Sequence, residues 1–216
     1  MGFLSPDSQC YSFDQRANGY ARGEGVAVIC LKLLSQALQD GDTIRAVIRS
    51  TGTNQDGKTP GITMPSESAQ TALIRQVYEI AGLDLKTTRF FEAHGTGTSV
   101  GDPIEAGAIS AVFKDLGTSE DPMFIGAVKP NIGHLGGASG MAGLIKAILI
   151  LERGIIPKNV LFEKANPAIP VEEWKLKVQF THLCLVALSL IALQVPSGNN
   201  TLAYTRSPKS IGKLFW

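Results

Sequence analysis

The stretch Phe91-Glu92-Ala93-His94-Gly95-Thr96-Gly97-Thr98 runs from the end of a strand through a histidine into a glycine-rich turn. Arg89 to Ala93 reads as a strand, and the glycines after His94 lead into the next helix. Val128-Lys129-Pro130-Asn131-Ile132-Gly133-His134-Leu135-Gly136-Gly137 repeats the pattern after an apolar run from Met123 to Val128. The chain has 3 histidines, so two of them in one repeated context point to a shared purpose. Such a unit presents an imidazole at the carboxyl edge of a sheet, beside helix amide donors, where α/β proteins keep their chemistry.

On either side of these stretches strands and helices alternate. Val26 to Leu31 is a short apolar run read as a buried strand, with a polar helical stretch after it as far as Gly41. Ile44 to Ser50 alternates like a strand, and Thr51 to Pro65 has the Gly, Thr, Asn, Asp and Pro content of a long loop. From Ser66 to Ala81 the residues Ala69, Leu73, Val77 and Ile80 share one helical face, and Gly82 stops the helix. In the next helix Asp102 can cap, Pro103 suits the first position and Glu105 completes a capping box. Ile104, Ala108, Val112 and Leu116 then recur every four residues up to Gly117. Ala138 to Leu151, apolar on nearly all sides with Lys146 its charge, reads as a central buried helix. The expected class is α/β with a layered sheet. Near Phe180 the composition changes. Residues 181–195 are apolar and uncharged, a Ser/Asn/Thr-rich stretch runs on to Trp216, and no clean helix or strand pattern emerges. Residues 1–180 are therefore expected to form the folded unit and residues 181–216 a tail.

The 216 residues suffice for one or two domains with a sizeable core. The 20 basic and 19 acidic residues are well mixed, which argues against nucleic acid or an anionic membrane as the main partner. Cys10, Cys30 and Cys184 are odd in number and widely spaced, so neither a disulfide framework nor a metal site is expected. A reducing, cytoplasmic setting fits this usage. No signal-peptide pattern opens the chain. The apolar run Leu183 to Leu193 falls short of the about 20 residues a bilayer needs.

His94 and His134 are candidates for acid, base or oxyanion donor, set against the plainer reading of hydrogen-bonded structural histidines. Helix amides and two imidazoles on one spot would stabilise a developing oxyanion. Lys129, near both, would bias them toward the neutral form or orient one of them. Gly95, Gly97 and Gly101 loosely imitate a dinucleotide-binding turn, but the spacing departs from that fingerprint and Asp102 would face the phosphate. Read as caps, Asp102 and Glu105 leave little for a paired-carboxylate mechanism. Cys30 reads as inert core, Cys10 lies in a polar loop without a helix start, and Cys184 is in the tail, so none has the setting of an activated thiolate.

Ordered motifs from Gly2 to Phe180 resemble the β-ketoacyl synthase domain of polyketide synthases, especially the multidomain fungal type. They are Phe3-Leu4-Ser5-Pro6-Asp7, Cys10-Tyr11-Ser12-Phe13-Asp14, Gly19-Tyr20-Ala21-Arg22-Gly23-Glu24-Gly25 and Asn54-Gln55-Asp56-Gly57. Further on come Glu92 to Thr98, Gly101-Asp102-Pro103-Ile104-Glu105, Lys129 to His134 and Asn166-Pro167. The resemblance implies a thiolase-like layered fold of two similar α/β halves, of which this chain is about the second. It implies a cysteine that takes an acyl chain as a thioester, then a malonyl unit that loses carbon dioxide and attacks it. By motif, His94 and His134 match the two histidines that hold the thioester oxygen and assist decarboxylation, and Lys129 matches their accompanying lysine. The implied substrates are malonyl and acyl thioesters tethered by phosphopantetheine to an acyl carrier protein domain, with no cofactor bound directly. A homodimer or the remaining synthase domain is the implied assembly partner.

The chain departs from the family at two points. The nucleophile motif, of Asp-Thr-Ala-Cys-Ser-Ser type, is absent, and so is the Gly-Phe-Gly-Gly-Thr-Asn turn of the last element. From Thr181 onward the sequence looks unlike the family, as a truncated gene or translated intron sequence would. A fragment of an acyl-condensing enzyme is the first reading. The second is a non-catalytic truncated relic or scaffold, which the missing cysteine motif favours for the chain alone. A nucleotide-binding oxidoreductase module is the third and weakest.

Overall fold

The computed structural model describes residues 3–61, 63–179, 181, 183–184, 190–195 and 200–206. A short helix α1 (Leu34–Gln39) precedes strand β1 (Ala46–Thr53), and α2 (Glu67–Ala81) follows. Next come β2 (Thr88–Glu92), α3 (Gly101–Phe113), β3 (Met123–Gly126), the single turn α4 (Lys129–Ile132) and α5 (Ser139–Arg153). Strands β4 (Ile155–Ile156), β5 (Leu176–Val178), β6 (Leu183–Cys184), β7 (Leu190–Val195) and β8 (Asn200–Arg206) complete the described elements. The main sheet has the order β1-β8-β7-β2-β3-β5, and β4 pairs with β6. Strands β7, β2, β3 and β5 run parallel, and β8 is antiparallel to both its neighbours.

Consecutive residues of β2 face opposite sides, as the two-residue period of a strand requires. Phe91 joins a core with Ile74 and Tyr78 of α2, Ile109 and Phe113 of α3, and Phe13. Phe90 joins a second core with Leu144, Ala147, Ile150 and Leu151 of α5. The result is three layers, helix–sheet–helix, with Phe90 and Phe91 of β2 facing the two cores.

Helix α2 begins and ends where local rules put it. The Ser66 hydroxyl accepts the Ala69 N–H at 3.2 Å, and Gly82 closes the helix at φ 58°. Its buried face is Leu73, Ile74, Val77 and Tyr78, while Ile80, expected on that face, is 65% exposed.

Four other expectations change. The Asp102–Glu105 capping box does not form: α3 starts after Val100 with no side-chain cap, and both carboxylates are buried against other loops. Helix α5 is buried along one side only, with Ile145 exposed, because nothing among the described residues covers its other side. Residues 24–33, expected to contain a buried strand, belong to no helix or strand ladder, with Val26 96% exposed and Cys30 exposed. Cys30 is therefore surface, not core. Residues 181–216, where no strand pattern was legible, contribute β7 and β8 to the middle of the main sheet. β7, paired on both edges, reads as a mostly apolar run without the alternation that marks a half-buried strand, while β8 lies in the Ser/Asn/Thr-rich stretch, where its pattern is weak. No helix among the described residues is long and apolar enough to cross a membrane.

Candidate active site

His94 lies two residues beyond β2, at the end of the sheet where β2 and β3 both finish. His134 is reached differently from the expected strand end: the turn α4 and Gly133 separate it from β3. Its backbone is pinned to a distant segment instead. The His134 N–H donates to the Ala21 carbonyl at 2.7 Å, and the Gly23 N–H donates to the His134 carbonyl at 3.0 Å. The approach leaves no room for a side chain at Gly23, where a Cβ would stand 2.2 Å from the Ile132 carbonyl oxygen. Gly97, at φ 81°, serves the His94 loop in the same way, since a Cβ there would meet the Tyr11 nitrogen at 2.7 Å.

These loops bring the two imidazoles edge to face, with ring centroids 5.4 Å apart and an interplanar angle of 87°. Lys129 Nζ stands 3.0 Å from His94 Nδ1 and also donates to the His94 carbonyl oxygen. His134 Nδ1 accepts the Gly136 N–H at 3.0 Å and faces the Ser139 hydroxyl at 2.9 Å. An Nδ1 that accepts cannot carry the ring proton, so both rings are set as Nε2–H donors. Tyr20 packs on His134, centroids 5.0 Å apart. The structure thus brings together His94, His134 and Lys129, the three residues that the sequence singled out.

Burial pushes the His94 pKa well below 6.5, and the Lys129 charge and His134 push it further the same way. His134 is lowered by burial and then by Lys129. Lys129 itself is 3% exposed; burial lowers its pKa, and the carboxylates of Glu105 and Glu92 oppose that. Two neutral N–H donors result. The His94 imidazole is expected to keep the neutral Nε2–H pattern in nitrogen-15 spectra well below pH 6.5. Lys129→Met should raise its pKa by removing a positive neighbour, yet leave it below 6.5, because burial is the larger cause. A wild-type midpoint at or above 6.5 would contradict this electrostatic account.

The site rests on carboxylates whose role the sequence did not disclose. Glu105 accepts the His94 N–H at 2.6 Å and the Gly95 N–H at 2.8 Å. Asp102 accepts the N–H groups of Gly97 at 3.0 Å, Thr98 at 3.3 Å and Phe13 at 2.7 Å. Side chains in the first turn of a helix point back toward its N-terminus. Here they reach past the helix to the loop that precedes it. Burial pushes the Asp102 carboxyl up to about 7, with the Glu105 charge adding to it and the backbone donors opposing it. Glu92, fully buried on β2, pairs with Lys146 of α5 at 2.7 Å, so the lysine within the apolar stretch of that helix has a partner in the sheet. Burial raises the Glu92 carboxyl, against the pull of Lys146 and Lys129. Ser139, which holds the His134 ring, is a serine at a helix start with no sequence signal to set it apart.

Cys10 lies close enough to feel the Lys129 and Asp102 charges, yet it lacks the setting of a nucleophile. Cys10 is buried, its sulfur accepts the Ala21 N–H at 3.2 Å, and burial pushes its thiol up. Cys30 is on the surface. The Cys184 side chain lies outside the described residues.

Two family models match the chain: the N-terminal domain of beta-ketoacyl synthase over residues 1–37, and its C-terminal domain over residues 45–163. The chain is 60% identical to highly reducing polyketide synthase 40 of Fusarium mangiferae over 177 residues, which are 82% of this chain and 7% of that protein. It is 60% identical to reducing polyketide synthase PKS1 of Cochliobolus heterostrophus over 184 residues, 85% of this chain and 7% of the relative. Among solved structures it is similar to an oxazolomycin ketosynthase domain of Streptomyces albus JA3453, with TM-score 0.90, 34% identity, 95% of this chain and 37% of that one. It is equally similar to the ketosynthase from module 6 of the bacillaene synthase of Bacillus subtilis 168, with TM-score 0.89, 36% identity, 95% and 38%. The fold is thus the thiolase-like one of ketosynthases. The chain spans a small part of the curated relatives and under half of the solved domains.

Proposed function

The chain belongs to the β-ketoacyl synthase family, and on that premise we propose that it supplies the histidine side of a decarboxylating condensation site for polyketide assembly. The observation that supports this reading is the pair of imidazoles, ring centroids 5.4 Å apart, each with an Nδ1 turned to a protein donor so that Nε2–H is left to point at a ligand. A malonyl thioester bound there breaks the bond between its Cα and its carboxylate. Carbon dioxide leaves, and the electron pair moves into an enolate whose oxygen carries the charge. His94 and His134 donate hydrogen bonds to that oxygen without giving up their protons, and Lys129 fixes the His94 ring. In the whole reaction the enolate carbon attacks an acyl thioester, expelling a thiolate. Without an acyl partner it takes a proton from solvent and gives the acetyl thioester.

In this reading residues 1–180 are the second part of a synthase domain, and residues 181–216 are unlike the family in sequence while adding strands to its sheet. The substrates are thioesters carried on the phosphopantetheine arm of an acyl carrier protein domain. The nucleophile comes from outside this sequence.

The test is release of carbon dioxide and acetyl thioester from a malonyl thioester by the purified chain. His94→Ala and His134→Ala are each expected to reduce the rate by about 100-fold or more, the usual cost of one oxyanion donor. Activity that survives both substitutions removes the histidines from the mechanism. A second reading, a non-catalytic relic, draws on the raised and buried Cys10 thiol, which leaves no described cysteine with an activating setting. It predicts no carbon dioxide release from the wild-type chain.

A further inference from the structure

Lys146, the charge set inside the apolar stretch of α5, has no part in the reaction proposed above, and neither has the carboxylate it meets. Glu92 is fully buried at the end of β2, two residues before His94. By the two-residue period of a strand, Glu92 and Phe90 share the α5 side of the sheet. Lys146 Nζ stands 2.7 Å from Glu92 Oε2 and 5.5 Å from the centroid of the Phe90 ring. The residue beside Glu92 in the ladder is Gly126, where a Cβ would stand 3.2 Å from the Phe90 ring and 3.5 Å from Lys146 Nζ, so the lysine reaches Glu92 over bare backbone. Neither Glu92 oxygen makes a well-aligned hydrogen bond, unlike Glu105, which clamps two backbone N–H groups. A buried carboxylate placed in this way acts through its charge. Besides Lys146, the cation that feels this charge is Lys129, which is 3% exposed. Burial disfavours the Lys129 ammonium; Glu105 favours it most, Glu92 next, then Cys10 and Asp102.

We infer that Glu92 is a positioning residue: anchored by Lys146, its carboxylate holds Lys129 as an ammonium against His94, so that the ring keeps its Nε2–H for a substrate oxygen. Lys129 Nζ meets both Nδ1 and the carbonyl oxygen of His94. An ammonium has three protons and no lone pair, so it donates to Nδ1 and leaves the ring proton on Nε2. A neutral amine has a lone pair and accepts from Nδ1–H, and Nε2 is then an acceptor that repels an enolate oxygen. The charge on Lys129 is therefore the condition for the donor geometry, and it is lost as pH rises through the Lys129 midpoint. Without Glu92 that loss comes at lower pH. Glu105 gives the larger pull but also holds the His94 loop, whereas Glu92 contributes charge. The inference rests on the reading of His94 as a donor and concerns what sustains it.

The test compares the full chain with Glu92→Gln and with the double variant Glu92→Gln/Lys146→Met, which removes both charges of the pair at nearly constant shape. Titration of carbon-13-labelled lysines reads Lys129, with Lys129→Met to assign its signal, and nitrogen-15 spectra read the His94 tautomer. In both variants Lys129 is expected to lose its proton at lower pH than in the wild type, and His94 Nδ1 to gain the ring proton over the same range. With a malonyl thioester, at a pH between the wild-type and variant midpoints, kcat should fall at least about tenfold with KM unchanged, since the donor acts on the developing charge. A merely structural ion pair gives a different result. Glu92→Gln then loses stability because Lys146 is left unpaired, and the double variant recovers both the urea midpoint and the wild-type Lys129 titration. That recovery of the titration would overturn the inference, as would a His94 ring that keeps Nε2–H after Lys129 has become neutral. If the wild-type chain releases no carbon dioxide, the proposed reaction fails, while the two titrations still decide the role of Glu92.

Discussion

Glu105→Ala is expected to be among the most destabilising single substitutions in this chain. Glu105 is 4% exposed and accepts two backbone N–H groups from the loop that carries His94. Alanine leaves both donors buried and unpaired, at about 1–3 kcal/mol each, and opens a cavity beside them. Against a domain stability of about 5–15 kcal/mol that is a large fraction. Glu105→Gln keeps one acceptor oxygen but turns an NH₂ toward an N–H, so its loss should fall between. The lost carboxylate also removes the leading opponent of Lys129 burial, so the Lys129 pKa should drop further in both variants. Urea midpoints of the three proteins, with the His94 imidazole spectra, check the order. A wild-type midpoint for Glu105→Ala would show that the clamp contributes nothing.

The chain alone is expected not to take up an acyl group from a thioester. Acyl transfer needs a thiolate, and the Cys10 sulfur is buried, held by Ala21 and shifted toward the thiol. Cys30 is exposed and far from both histidines in sequence. Intact-mass measurement after incubation with an acyl thioester should show no stoichiometric addition. Cys10→Ala, Cys30→Ala and Cys184→Ala run alongside it. Stoichiometric acylation that disappears in just one of these variants would identify a nucleophile in this chain.

The sequence alone was enough for what depends on near neighbours. The Ser66 cap, the Gly82 stop and the α2 helix between them follow from contacts a few residues apart, and the structure has them there. The strand–histidine–glycine order marked the sheet end because apolar runs and glycine turns are local signals. The motif order from Gly2 to Phe180 named the family, because sixty-percent identity preserves residues whatever they touch.

Long-range contacts decided the rest. Asp102 and Glu105 fit a capping box in sequence, but their hydrogen bonds go to residues 94–98 and to Phe13, and the pull of so many buried N–H donors outweighs a local cap. The tautomers of His94 and His134 depend on Lys129, Gly136 and Ser139, which meet the rings only once α4 and α5 are in place. Val26 to Leu31 carries the pattern of a buried strand, and only the tertiary structure shows it bare. Hydrophobic pattern states what a segment requires; whether a partner surface is present is a property of the assembled fold.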